Sequence, residues 1–435
     1  MDIKKEIEGI KKENDDLKKI NHQQRIEITD LMKEIKLLEK KLEEVEGKKP
    51  STPDFIKESV KKKHKKTGQK KGHKGYSRYI PERIDEVKKH NLDSCPNCGG
   101  NVSKTQEIRE RVVTDMEVNV VNTKHVIHRK YCKNCKKIVE PEVDEALPNC
   151  RFSLRLMLLI MLMKVGLRLP SEKIIDFLTI FGVDISDGEI YTILDRLKEE
   201  FGGYYEELVL KMRKAPHKYM DETGWRIFGN NHWMWILVNK EIAIYLIKKK
   251  RSSQVPIKFL GNQEGKSMTT DRFNAYNVVV EKTGISQQIC WAHLLRNAKD
   301  LAEHYSEAEY IFRRLKYIFG KSREVSKDRL LHWIDLVAEN RKRCKSSEVK
   351  KFVRSVCVKY RENLFRFVDN PEIEPTNNMA ERGLRHGVVI RKISGGSRSE
   401  KGAETTARLL SVVETVKKQE GNIMDNLVNV LQKGK

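Results

Sequence analysis

The chain of 435 residues has no apolar run long enough to cross a bilayer. Its longest, residues 156–163, is closed off by Arg155 and Lys164, well short of the roughly 20 apolar residues a spanning helix needs. A secretory leader is also missing, because the first fifty residues are charged throughout. Acids are scarce relative to bases: 62 Asp and Glu stand against 86 Lys and Arg, for a net charge of +24. That balance says nothing of fold but favours a polyanionic partner, nucleic acid before membrane. These absences predict a soluble cytoplasmic protein associated with the nucleoid. Eight cysteines in a reducing compartment point to free thiols or metal ligands, not disulfides.

What is present begins with a heptad over residues 3–45. Ile7, Asn14, Asn21, Ile28, Ile35 and Leu42 fall at one seam position, and Ile3, Ile10, Leu17, Gln24, Leu31, Leu38 and Val45 at the other. Each is apolar or an uncharged amide in a stretch otherwise dense in Lys and Glu, so residues 1–48 read as a coiled coil and the chain as a homo-oligomer, a dimer first. The alternative is a long helix folding back on its own chain. Residues 49–90 read as a basic linker. Between Lys57 and Arg78 ten Lys or Arg face one acid, Glu58, a density suited to DNA phosphates or to a solvated tether.

Residues 91–145 carry two Cys-x-x-Cys pairs, Cys95 with Cys98 and Cys132 with Cys135. Two such knuckles complete a closed tetrahedral site for one structural zinc. The alternating run at residues 112–127 reads as strands, and the whole as a zinc ribbon. Cys150, Cys290, Cys344 and Cys357 lack such pairing and read as ordinary buried thiols. Residues 146–213 read as helices, with Ser171 and Ser186 as caps around a Gly182 turn. They form either a helix-turn-helix-like unit or a plain helical subdomain.

Residues 217–238 read as a hairpin turning at Gly229-Asn230-Asn231. Acids disfavour strand interiors, yet Asp221 and Glu222 sit in the middle of the first run, which suits a metal ligand held on a rigid sheet or a solvent-facing edge. Period two puts the pair on opposite faces, and Asp221 ranks above Glu222. A strand at residues 242–247, a basic helix at 248–260, a short strand at 267–270 ending at Asp271, and a strand at 285–290 follow. Residues 294–368 read as a helical insertion into the 214–293 sheet region. In residues 369–435, a helix capped at Thr376 or Asn377 puts Asn378, Glu381 and Arg385 on one face. Arg391, Lys392 and the Gly395-Gly396 turn after it make a loop fit to approach phosphate. The strand and helix order is similar to that of RNase H-like folds, which makes the fold class α+β and multidomain, an RNase H-like α/β domain with a helical insertion.

The motifs resemble transposases of the insertion-sequence family numbered sixty-six, of the DDE type. They run in the family's order: GQKKGHKG at Gly68, the paired Cys-x-x-Cys, DETGW at Asp221, TTDRFNAYN at Asp271, CWAH at Cys290 and NNMAERGLR at Asn377. Met379 stands where the family often has alanine, and Gly224 where it often has proline. The resemblance implies that Asp221, Asp271 and Glu381 are a catalytic triad holding two magnesium or manganese ions. It also implies that double-stranded DNA, the element's terminal inverted repeats and a target, is the partner. Such a pair of ions clamps an in-line phosphoryl displacement. Arg382, Arg385, Arg391, Lys392 and His293 are the candidate DNA contacts, with a core role open for His293. The other readings are a non-catalytic zinc-ribbon DNA-binding protein with an inert sheet domain, and an RNase H-like nuclease without strand transfer.

Overall fold

The computed structural model describes residues 83–433, apart from Glu117 and Asp144, together with Gln24 and Met32. The heptad and most of the basic linker lie outside the described residues. The chain divides into two compact units, residues 1–114 and 115–435.

In the first unit the Cys95–Cys98 knuckle is a tight turn. Cys95 N–H donates to Gly100 O at 2.8 Å and Gly99 N–H to Cys95 O at 2.8 Å. In the second, β1 (Lys130–Cys132) pairs antiparallel with β2 (Lys137–Val139) and carries the Cys132–Cys135 knuckle at its turn. The strands expected at residues 112–127 are not there: no strand occupies their described residues. Alternation makes a strand only where one face is covered, and Val113 and Val121 are exposed.

The second unit continues with α1 (Leu154–Met161), drawn out by a π turn at Leu162–Gly166, then α2 (Ser171–Ile180), α3 (Asp187–Glu200) and α4 (Gly202–Lys214). Ser186 and Glu189 close a capping box on α3, while Ser171 is the first residue of α2 and not its cap. The buried stripe of α3, Ile190, Ile193, Leu194 and Leu197, joins the core. Its outward first turn carries Asp187 and Glu189 behind Asp184, a charge unsuited to a phosphate-lined groove, which favours the plain helical subdomain.

The sheet has five strands: β3 (His217–Ile227), β4 (Asn230–Val238), β5 (Ala243–Lys248), β6 (Ser267–Thr270) and β7 (Ser286–Ile289). Their spatial order is β5-β4-β3-β6-β7, with the first three antiparallel and β6 and β7 parallel to β3. Between β5 and β6 lies α5 (Gln254–Leu260), shorter than the sequence suggests. Pro256 lacks the N–H an interior turn needs, so it is tolerated only in the first turn. Between β6 and β7 lies α6 (Ala275–Thr283).

The turn also differs from expectation. Ile227 pairs with Asn230, so the two turn residues are Phe228 and Gly229, with φ of +47° and +74°. Gly229 adopts this region freely. For Phe228 it costs roughly 1–2 kcal/mol.

The helical insertion comprises α7 (Trp291–His304), α8 (Ser306–Lys321), α9 (Lys327–Glu339), α10 (Ser347–Val353) and α11 (Arg366–Asp369). It has its own core, in which Trp291 stacks on Phe319 and packs against Phe365. The chain then returns as α12 (Asn378–Ser394), α13 (Glu400–Val416) and α14 (Ile423–Lys433). One face of the sheet shares a core with α12, α13 and the helical subdomain, and the other with α4, α5 and α6. No described helix is long and apolar enough to cross a membrane.

One buried charge makes the core pH-sensitive. Lys218 of β3 is fully buried and its ammonium donates to Gln263 Oε1 at 2.6 Å. Burial, with the Lys266 charge adding, lowers its pKa from 10.5 to about 8. Between those values the unfolded chain holds a proton that the folded chain has released, so stability rises with pH across that window. Relative to Lys218→Met, the wild-type urea midpoint is expected to climb from pH 8 to pH 10.

Candidate active site

Strand β3 sends its two adjacent acids to opposite faces of the sheet. Glu222 faces the α5–α6 side with Met220 and is fully engaged. Arg251 Nε and Nη2 donate to its Oε1 at 2.9 and 2.7 Å, and the Tyr276 hydroxyl donates to its Oε2. Arg251 is itself held between the rings of Trp233 and Phe273, 4.7 and 4.0 Å from their centroids. With both oxygens taken, Glu222 is a structural acid.

Asp221 has the reverse environment. It lies on the α12 side, in step with Tyr219 and Trp225. Its Oδ1 accepts the Glu222 backbone N–H at 2.9 Å. The charged groups weighing most on it are all acids. Burial first, then the charges of Glu222, Asp271 and Glu381, push its pKa up to about 8.

Asp271 follows the strand beside β3. Tyr219 pairs with Thr269 in the parallel β3–β6 ladder. The ladder stops two residues short of both acids, and the Asp271 charge is among those felt by Asp221. The β6 strand ends at Thr270, and Asp271 Oδ1 accepts the Phe273 N–H at 2.9 Å, which turns the chain into α6.

Glu381 reaches the site from α12. The helix start is laced to the sheet: Asn377 Nδ2 donates to Met220 O at 2.9 Å, and Asn377 N–H to Cys290 Sγ at 3.1 Å. Cys290 N–H in turn donates to Thr270 O at 2.9 Å. One chain of bonds therefore joins the residue before Asp221, the residue before Asp271 and the helix of Glu381. Close approach of α12 to β4 depends on glycine, since a Cβ at Gly383 or Gly387 would stand 2.3 Å from Ile236 Cδ1 or 2.1 Å from Met234 Sδ.

Glu381 Oε1 is buried with no hydrogen-bond partner and lies 3.5 Å from His293 Nδ1. His293 Nδ1 is also 3.3 Å from Cys290 Sγ, and donor atoms of Cys290, His293 and Glu381 fall within 4.8 Å of one another. The imidazole thus stands against the third acid. Glu381 thus carries an unpartnered buried oxygen and its charge reaches Asp221, but among the described residues the donor atoms gathered within 4.8 Å are those of Cys290, His293 and Glu381, not those of the three acids.

A profile of the Transposase IS66 family matches residues 149–405, more than half of the chain. The chain belongs to that family. Curated proteins give no match. For this family member the general role is that of a transposase, and the matched span holds Asp221, Asp271 and Glu381.

Of the basic candidates in this IS66-family chain, Arg382, Arg385 and Lys392 are exposed and share one stripe of α12, opposite the buried Ala380, Leu384 and Gly387. Arg391 is not on that stripe. It is half-buried and donates to Gly224 O at the edge of β3. Cys290 is a buried thiol as expected, but it also accepts the Asn377 N–H, and Asn377 laces α12 to the sheet, a role its place at the helix start did not reveal. Their signal was the motif pair CWAH and NNMAER, each of which supplies one end of the Asn377–Cys290 bond.

The two knuckles share one electrostatic feature, each within its own unit. Backbone N–H groups of Asn97 and Cys98 lower the pKa of Cys95. The N–H and thiol of Cys135, then the N–H of Asn134, do the same for Cys132. Amides aimed at a sulfur favour the thiolate, the form that binds metal.

Proposed function

We propose that the chain is a DDE-type DNA transposase that cuts the ends of an insertion sequence and joins them to target DNA. Asp221, Asp271 and Glu381 are its triad, holding two magnesium or manganese ions. The observation that carries this reading is the acidic surroundings of Asp221. Asp221 sits half-buried among other acids with a pKa near 8, while its neighbour Glu222 has been given an arginine. The order of the mixed sheet, with the first acid on the central strand and the second past the end of β6, supports an RNase H-like reading.

When bound, the two ions would activate the attacking water or 3′-hydroxyl and stabilise the leaving oxygen. The chain's own residues supply placement. Asp221 stands on β3 and Asp271 just past the end of the neighbouring parallel strand β6, so the sheet anchors both acids. The Asn377–Cys290 bond anchors the start of the helix that carries Glu381, and His293 stands beside its carboxylate. Arg382, Arg385 and Lys392 line an exposed face that would take phosphates. Self-association through the heptad completes the reading.

The test uses duplex DNA taken from the flanks of the coding sequence. Magnesium-dependent nicking followed by joint molecules with a target duplex is expected. Binding without nicking would instead mark a non-catalytic DNA-binding protein, and nicking without joint molecules a nuclease.

One structural zinc on Cys95, Cys98, Cys132 and Cys135 is proposed from their paired spacing in the sequence alone. Protein purified without chelator should carry one zinc per chain by elemental analysis. Cys98→Ser and Cys135→Ser should each lose it, because a closed site needs all four ligands.

A further inference from the structure

The β3–β4 turn carries a side chain that the fold itself does not use. Phe228 is 81% exposed, and its φ of +47° lies in the region that favours glycine or asparagine. An exposed ring on an unfavourable backbone is destabilising on both counts, and such outliers persist where function holds them.

The tip is braced. Phe228 N–H donates to Ser397 O at 2.9 Å, and Ser397 N–H to Arg226 O at 2.9 Å. Arg226 Nη1 closes the turn onto Gly229 O at 2.8 Å. Gly396 lets the two segments meet: a Cβ there would stand 2.3 Å from Arg226 O. The ring is therefore presented on a rigid mount.

Its surroundings are basic. Arg226, Lys392 and Arg398 are exposed on the segments that form the mount or lead into it. The exposed stripe of α12, Arg382, Arg385 and Lys392, runs from the first turn beside Glu381 to the Gly395-Gly396 brace. From Asp221 to Phe228 along β3 is roughly 23 Å. From Glu381 to the end of α12 is roughly 20 Å. Two routes thus put the tip the same distance from the acids, about six or seven base pairs of duplex.

We propose that Phe228 is a stacking wedge, which seats its ring against a base of the DNA lying along the α12 stripe, about six or seven base pairs from the cut. This rests on the transposase reading. Apolar wedges open base steps in bound duplexes, and ring–base stacking tolerates any sequence.

The test compares wild type, Phe228→Gly and Phe228→Trp. Glycine relieves the backbone and so does not threaten folding, while tryptophan keeps a stacking face. The probe is a duplex from the flank of the coding sequence, with 2-aminopurine moved one position at a time, bound in calcium so that no strand is cut. Wild type and Phe228→Trp should change the probe's fluorescence at one or two adjacent positions. Phe228→Gly should lose that change and bind roughly 5- to 100-fold more weakly, the range of one base–aromatic stack. A mismatch at the responsive position should restore part of the loss. Wild-type affinity and fluorescence in Phe228→Gly would overturn the wedge, as would a loss of self-association in its place, which would make the ring a contact between copies. Nicking in magnesium is scored separately. Nicking by a wild type that shows no Phe228-dependent fluorescence removes the wedge but keeps the transposase, and a stacking signal without nicking does the reverse.

Discussion

Asp221→Asn, Asp271→Asn and Glu381→Gln are each expected to lower magnesium-dependent strand cleavage by about 10³-fold or more, while DNA binding holds. Several kcal/mol of charge stabilisation go with a cation in such a site, and each acid is needed to keep it. Binding should hold because the phosphate-facing stripe of α12 is untouched, and removing a negative charge beside a polyanion does not weaken it. Glu222→Gln is the contrast. It disturbs the pair with Arg251 and Tyr276, so it should lower the unfolding midpoint, yet the folded fraction should still cleave. Near-full cleavage by any one of the three triad variants would break the assignment.

A second readout of Asp221 needs no DNA. Its pKa of about 8 in the folded chain exceeds the ordinary 3.8. Without metal the folded state keeps a proton that the unfolded chain has lost, so this contribution to stability is complete below pH 3.8 and is lost as pH rises through 8. Asp221→Asn should therefore unfold later than wild type in EDTA at pH 8, and should gain less from added magnesium.

Gly387→Val is expected to cut cleavage by about 10²-fold through position alone. At Gly387 even a Cβ would stand 2.1 Å from the sulfur of Met234, a fully buried side chain. Overpacking of this kind costs about 1–3 kcal/mol. That exceeds the roughly 0.5–1 kcal/mol a helix gains when glycine is replaced by alanine. Met234 is flexible but can turn aside only into a packed core, so part of the relief is a shift of α12 away from β4, and α12 carries Glu381. A misplacement of about 1 Å costs about 10²-fold in such chemistry. Measured together, the unfolding midpoint should fall by several degrees and cleavage should drop, with affinity for flank DNA within a few-fold of wild type. A folded Gly387→Val protein that cleaved at the wild-type rate would show that the seating of α12 does not matter.

The legible parts of this protein are those whose signal is local. The β3–β4 hairpin, β6 ending at Thr270 before Asp271, β7 and the start of α7 at Trp291 all lie where period and punctuation put them. So does α12, which starts just after Asn377 and stops at the left-handed Gly395. Residues 112–127 show the limit of the same logic. Their alternation is as regular as that of any strand, but nothing covers a face, and no strand forms there. The turn failed for a related reason. Glycine and asparagine mark turns by conformational ease, whereas the pairing of Ile227 with Asn230 put Phe228 into a strained position, held by the Gly396–Ser397 loop 168 residues further on.

From residue type and order alone came the two knuckles, the basic excess and the element that carries each, because these depend on neighbours a few positions away, while the three acids were grouped by the resemblance of the motifs that hold them. That Arg251 takes the Glu222 carboxylate, that Arg391 turns back to Gly224, and that Cys290 with Asn377 ties α12 to the sheet were decided only in three dimensions. Each is a contact between segments from 29 to 167 residues apart. Such contacts are selected by packing and by the need to pair buried polar groups, and no local pattern encodes them.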